Sequence, residues 1–245
     1  MPLCQQCLDS LRPIAGRRCE ICSAELPGAG AETVCPGCVA EPPEYRRAAV
    51  FGRFDGALRD CVHLLKYDRV RPVAKVLGRL LAGLVHDLIP QPWPERVLVT
   101  AVPLHRRKRR QRGFNQSELI ARQMVRSCGA SALQLEPSLL ERKRYTESQT
   151  GLSRDQRRAN VRGAFRVPQR TKAKVAGSHI LLVDDVLTTG TTVGECARVL
   201  RRAGAEAVYV AAVARALHRE SSLTAWAQGN ERDENLAMGG ATLGA

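Results

Sequence analysis

Two adjacent carboxylates, Asp184 and Asp185, stand just before a run of hydroxyls around one glycine, Thr188-Thr189-Gly190-Thr191-Thr192. Carboxylates accept hydrogen bonds from sugar hydroxyls or face a hydrated Mg²⁺. Hydroxyls and backbone N–H groups around a glycine hold a phosphate, best where a helix begins and turns its positive end to the ligand. Together these groups suit a phosphorylated ribose. A P-loop ATPase also ends a strand on an acid, but no G-x-x-x-x-G-K-[ST] segment stands upstream. A response regulator would carry its acidic pair after the first strand, and here the pair lies late. A purely structural loop would gain little from these threonines in a core or a cap.

Two further sets of residues could do chemistry. Between His105 and Arg112 stand six cations: Arg106, Arg107, Lys108, Arg109, Arg110 and Arg112. Arg142, Lys143, Arg144, Arg154, Arg157, Arg158 and Arg162 form a second cluster, and the whole chain carries a net charge of +14. Such clusters suit polyphosphates or nucleic acid, the rival being a solvated basic face. Six of the nine cysteines form C-x-x-C pairs, Cys4/Cys7, Cys19/Cys22 and Cys35/Cys38, with gaps of eleven and twelve residues. Two such knuckles a dozen residues apart make a tetrahedral zinc site, which can fold a segment lacking its own core. A redox pair or a disulfide cluster is the alternative. Three pairs do not divide into four-ligand sites, so one pair lacks a partner; Cys19, Cys22, Cys35 and Cys38 are the favoured complete set, with one zinc per chain. Cys61, Cys128 and Cys196 fall in helical patterns and read as core.

The elements that must position these residues follow from periodicity. Residues 180–183 are a buried strand ending at the acidic pair, and 193–203 have helical spacing. Strands are expected at 48–54, 97–102 and 207–213, and helices at 56–67, 73–88 and 116–127, with a connector at 90–94. Alternating strands and helices indicate an α/β fold with a parallel sheet and right-handed crossovers. The stretch 139–161 is polar with little apolar periodicity and reads as an excursion over a site. Three segments result: a cysteine-rich ribbon at 1–41 ending in a Pro-Pro linker, a domain at 46–215, and a polar, disordered tail at 216–245. At 44% hydrophobic and 4% aromatic residues, the composition fits a sheet built on Ala, Val and Leu. No apolar run of about 18 residues predicts a membrane span, and the start Met-Pro-Leu-Cys lacks a signal peptide's pattern, so a soluble cytoplasmic protein is expected.

With these parts assembled, the chain resembles the ComF family of type I phosphoribosyltransferases, the competence-associated group, over residues 4–215. The resemblance is carried by the knuckles, Leu64-Leu65-Lys66-Tyr67, Val102-Pro103-Leu104-His105-Arg106-Arg107, Arg112-Gly113-Phe114-Asn115-Gln116, Arg144-Tyr145-Thr146-Glu147-Ser148-Gln149 and residues 183–192. It implies a type I phosphoribosyltransferase fold with a small N-terminal zinc ribbon. It also implies a transferase that uses phosphoribosyl pyrophosphate with Mg²⁺ and passes the phosphoribosyl group to an acceptor. Asp184 and Asp185 would bind the ribose 2- and 3-hydroxyls, and Thr188, Thr189, Gly190, Thr191 and Thr192 the 5-phosphate. Pro103, Leu104, Arg106, Arg107 and Arg112 would form the pyrophosphate loop. Arg144, with Thr146 and Gln149, would belong to a flexible loop that closes over the reaction centre, Arg144 reaching the chemistry. Structural Zn²⁺ would sit on Cys19, Cys22, Cys35 and Cys38. The missing fourth cysteine pair departs from a double zinc ribbon, and no nucleobase pocket is legible.

A second class of function stays open. Ribbon and basic loops could hold single-stranded DNA during uptake, beside a competence helicase, with the sugar-phosphate site as a sensor; the scarcity of aromatics in the basic loops argues against it. Ligand-dependent transcriptional control is a third reading, unsupported by any helix-turn-helix pattern. Acceptor and oligomeric state are not legible.

Overall fold

The computed structural model describes residues 3–145 and 154–216. Five strands form one parallel sheet: β1 (Arg47–Arg53), β2 (Val97–Ala101), β3 (Leu133–Leu135), β6 (His179–Leu187) and β7 (Ala207–Arg215), in the spatial order β1-β7-β6-β2-β3. A short antiparallel pair, β4 (Glu141–Arg142) and β5 (Phe165–Arg166), lies apart from it. The central strands read as near-continuous apolar runs because both faces are covered, as parallel sheets require.

One face is covered by α3 (Gly56–Lys66), α4 (Val73–Leu88) and α6 (Gln116–Cys128), whose Leu65, Leu77, Leu81, Ile120 and Met124 pack with Val99, Leu181 and Tyr209. The other is covered by α9 (Thr191–Arg202), through Val193, Cys196, Ala197 and Leu200 against Ile180, Leu182 and Val210. The helices after β2 and after β6 thus lie on opposite faces of two neighbouring strands. Their chains part between the carboxyl ends of β2 and β6, the crevice where open α/β sheets bind ligands.

Three sequence expectations change. The strand at 180 does not stop at Val183: β6 continues to Leu187, and Asp184, Val186 and Leu187 pair with Ala212, Ala214 and Arg215 of β7. Its pairing with β2 ends where Ala101 meets Val183, so the acidic pair lies within the strand, on an edge that β2 has left. The basic run is helix α5 (Arg106–Arg112), because it is made of good helix formers between two caps. His105 Nδ1 accepts the Arg107 N–H at 3.3 Å, and Gly113 closes the helix at φ 84°. The excursion is anchored at its feet: Leu139, Leu140 and Val161 are buried, and α7 (Arg154–Val161) packs on α9. Of the three cysteines read as core, Cys61 and Cys196 are buried and Cys128 is half-buried.

The ribbon carries α1 (Gln5–Asp9) and α2 (Pro36–Ala40) and lies along β1, the edge strand, satisfying its outer backbone groups. Ala48 N–H donates to Ile21 C=O at 2.7 Å, Ser23 Oγ to Ala48 C=O at 2.7 Å, and Ile14 N–H to Phe51 C=O at 2.8 Å. Arg215 Nη1 reaches from the end of β7 to Cys22 C=O at 2.7 Å. Helix α8 (Lys172–Val175) precedes β6. No helix among the described residues is long and apolar enough to cross a membrane.

Candidate functional site

Asp184 and Asp185 are both buried, 9% and 4% exposed, at the mouth of the β2/β6 crevice. Burial first, and then the charge of Asp185, raises the Asp184 carboxyl to about 7. Its Oδ1 accepts the Asp185 N–H at 2.9 Å and Ser117 Oγ–H at 3.1 Å. Lys66 Nζ, from the last turn of α3, forms an ion pair with Asp185 Oδ2 at 2.8 Å, without the alignment of a hydrogen bond. A carboxylate pair held this deep by one cation and one hydroxyl keeps acceptor capacity for a ligand.

The loop at 188–192 follows directly. Gly190 adopts φ 76° as the residue before α9, a left-handed conformation that costs other residues strain, and accepts the Gly194 N–H at 2.8 Å. Thr188, Thr189, Thr191 and Thr192 are half-buried around it, with Thr189 Oγ1 and Thr191 Oγ1 2.6 Å apart. The amino end of the twelve-residue α9 therefore opens on the same crevice as the acidic pair.

The segment Arg112-Gly113-Phe114-Asn115-Gln116 is a hinge between two helices. Gly113 ends α5, Phe114 is buried beneath the Arg71 guanidinium at 5.1 Å, and Asn115 caps α6 by accepting the Ser117 N–H at 3.1 Å. Asn115 Nδ2 also donates to Val102 C=O at 3.0 Å, fixing the strand end to the helix start. Arg112 bonds Gln116 one turn on.

Of the residues expected to hold pyrophosphate, Pro103, Leu104 and Arg112 are half-buried toward the site, whereas Arg106 and Arg107 are exposed. Lys108 turns inward in their place. Burial and then the charges of Arg142, Arg112 and Lys66 lower its ammonium, so four cations share one neighbourhood. Arg144 does not face the acids: its Nη2 donates to Asn160 C=O at 2.8 Å and Arg162 C=O at 2.9 Å, tying the feet of the excursion together. Arg142 takes the inner position, its guanidinium over the Phe165 ring at 5.2 Å, with Asp184 among its charged neighbours. Thr146 and Gln149 lie outside the described residues. Ser117 was not legible as a site residue, and Lys108, Arg142 and Lys66 stood in the sequence only as members of basic clusters or of a motif, without a role at the site. Lys66 stands inside the Leu-Leu-Lys-Tyr segment and Ser117 follows Asn115-Gln116, so neighbouring motifs were the available signal.

Cys19, Cys22, Cys35 and Cys38 bring their sulfurs within 4.8 Å of one another, the one such cluster among the described residues. Cys22 and Cys35 Sγ are 3.7 Å apart, close to the edge of about 3.8 Å that a tetrahedron of 2.3 Å Zn–S bonds requires. The Cys35 N–H donates to Cys19 Sγ at 3.3 Å, and Arg215 Nη2 stands 3.9 Å from Cys22 Sγ, donors that favour thiolates. The donor set fits a structural zinc ion. Cys4 and Cys7 stand apart from it.

A parallel five-stranded sheet, an acidic pair late in its central strand and a threonine-glycine loop at the switch point define a type I phosphoribosyltransferase fold. The family model of the phosphoribosyl transferase domain matches residues 115–234. DNA utilization protein YhgH of Salmonella typhi is 32% identical over 219 residues, covering 88% of this chain and 91% of that protein. Competence protein F of Haemophilus influenzae is 29% identical over 217 residues, covering 87% and 90%. A hypoxanthine phosphoribosyltransferase from Staphylococcus aureus aligns over 62% of this chain and 77% of its own, with a TM-score of 0.37 and 11% identity. The chain belongs to the ComF family.

Proposed function

We propose that the protein binds phosphoribosyl pyrophosphate with Mg²⁺ and transfers the phosphoribosyl group to an acceptor. The observation that carries this reading is the convergence of the buried acidic pair and the α9 amino end on one crevice, with four cations gathered beside them. Asp184 and Asp185 accept the ribose hydroxyls, and residues 188–192 hold the 5-phosphate. Pro103, Leu104 and Arg112 line the pyrophosphate side with Lys108, while Arg106 and Arg107 reach it from the exposed face of α5. As the bond from the sugar to pyrophosphate breaks, positive charge grows on the ribose and negative charge on the leaving group. On this reading the carboxylates face the sugar, and Lys108 and Arg112 face the leaving group. The acidic pair fits a divalent cation, since two adjacent buried carboxylates compensated by a single lysine gain from one. Mg²⁺, when bound, neutralises charge on the leaving pyrophosphate. The excursion carrying Arg144, Thr146 and Gln149 excludes water that would hydrolyse the donor.

Calorimetry with phosphoribosyl pyrophosphate tests the reading. Saturable binding is expected with Mg²⁺ present, weakened at least about tenfold in Asp184→Ala, as for loss of hydrogen bonds to a charged group. Wild-type protein giving no heat would sink it.

A second reading is favoured by one surface. Tyr67 and Tyr145, 67% and 43% exposed, lie against Arg112 at 5.8 Å and Arg107 at 5.5 Å, giving the basic face the stacking platforms its sequence seemed to lack. On this reading the face holds single-stranded DNA, in keeping with the names of the relatives, and binding weakens steeply with salt.

A further inference from the structure

The ribbon and the phosphate loop lie on the same side of the sheet, and one side chain joins them. Tyr45 stands between the linker and β1, and its position is fixed because the next residue, Arg46, donates its N–H to Val208 C=O of β7 at 2.8 Å. Its ring is buried, 6% exposed, in the apolar layer that contains Cys19, Cys22, Cys38, Leu187 and Val193. Its hydroxyl has no hydrogen-bond partner among the described residues. That oxygen is aimed at the loop: a methyl group placed on Gly190 would lie 3.6 Å from it, with no other described atom beyond the adjacent residues within 4 Å. The ring is buried, but the oxygen itself is not sealed from the crevice, so a ligand in the loop can accept its proton.

We propose that Tyr45 donates its hydroxyl to the phosphate held by residues 188–192, so that the linker from the cysteine ribbon supplies part of the phosphate site. The proposal rests on the sugar-phosphate reading above and adds a ligand to it from outside the loop. The chemistry suits it. A phenol keeps its proton at neutral pH and donates to an anion, while the α9 amino end supplies backbone donors from the other side. Because the ring lies in the same apolar layer as Cys19, Cys22 and Cys38, the ribbon sets the hydroxyl's position, and the phosphate site is complete only when the ribbon is folded against β1.

Ribose 5-phosphate, which has the phosphate but no pyrophosphate, isolates this end of the site. Calorimetry is run on full-length wild type, Tyr45→Phe, and Thr191→Ala as a loop control, with zinc content and thermal midpoint recorded for each. The Phe variant keeps the buried ring, so zinc content is expected to match wild type. Its affinity for ribose 5-phosphate is expected to fall roughly 10- to 100-fold, the usual loss for a hydrogen bond to a charged group. Unchanged affinity in Tyr45→Phe with weakened binding in Thr191→Ala overturns the role of Tyr45 and leaves the sugar-phosphate reading standing. Wild type that binds neither ribose 5-phosphate nor phosphoribosyl pyrophosphate overturns both. A Tyr45→Phe variant that loses its zinc or its thermal transition assigns the residue to folding and overturns the ligand role.

Discussion

Asp184 is where burial and charge conflict most directly in this molecule. An aspartate in the unfolded chain titrates near ~3.9, and in the fold burial and Asp185 raise it to about 7. Between those values the folded protein holds a proton that the unfolded chain has released. The stability this carboxyl confers is therefore full below about pH 4 and lost as pH rises through about 7. Asp184→Asn removes the titration and keeps the shape. Its stability relative to wild type is expected to rise across that window and level off above it, read from urea midpoints at a series of pH values. A difference that stays flat with pH contradicts the raised carboxyl. Ligand binding that needs the ionised pair strengthens over the same window. The sequence placed both acids at the site from their types and neighbours alone. It could not show that the Asp184 carboxyl is raised, because that follows from burial in the folded sheet, and it could not show that Ser117 and Lys66, 67 and 119 positions away along the chain, meet the acids through packing.

At the scale of elements, α5 shows how a charge run is sorted by a helix. The six cations of 106–112 look equivalent in sequence, but the helical turn sends Lys108 and Arg112 inward and leaves Arg106, Arg107, Arg109 and Arg110 outside. The inner pair belongs to the phosphate reading. The outer face, from which Arg106 and Arg107 also reach the pyrophosphate side, carries the DNA reading, with Tyr145 beside Arg107. The triple variant Arg107→Glu, Arg109→Glu, Arg110→Glu is expected to weaken retention of an oligothymidine at least about tenfold at low salt. It should also shallow the salt slope by about two, the share of three single-strand phosphate contacts. Unaltered retention and slope, measured by fluorescence anisotropy, remove the DNA reading. The helix itself was hidden in the sequence because a run without apolar residues has no periodicity to read. The feet of the excursion were missed for the related reason that Leu139, Leu140 and Val161 are too few and too far apart to form a pattern, although each is buried.

At the scale of the whole molecule, the ribbon is part of the domain's core. Cys19, Cys22 and Cys38 share one apolar layer with Leu182, Leu187 and Val210, and the ribbon satisfies the outer edge of β1. Metal loss is therefore expected to weaken the entire fold. Elemental analysis should find one zinc per chain, and chelation should shift the main calorimetric transition down; a loss of about 3 kcal/mol would lower it by roughly 6–12 °C. A main transition that is unmoved by chelation, with a separate small one lost, makes the ribbon an independent unit.

The sequence by itself determined the order of β1, α3, α4, β2, α6, β6, α9 and β7, the parallel sheet, the pairing of acids with a threonine-glycine loop, and which four cysteines belong together. These are carried by short-range spacing: apolar period, helix caps and C-x-x-C pairs all act within a dozen or so residues. Tertiary structure decided what lies across the crevice. It placed Ser117 and Lys66 on the acids, exchanged Arg144 for Arg142 on the inner side, and brought Tyr45 beside Gly190. The reason is geometric: these contacts join residues far apart in the chain, and only the crossing of β6 past the end of β2 and the docking of the ribbon on β1 bring them within reach.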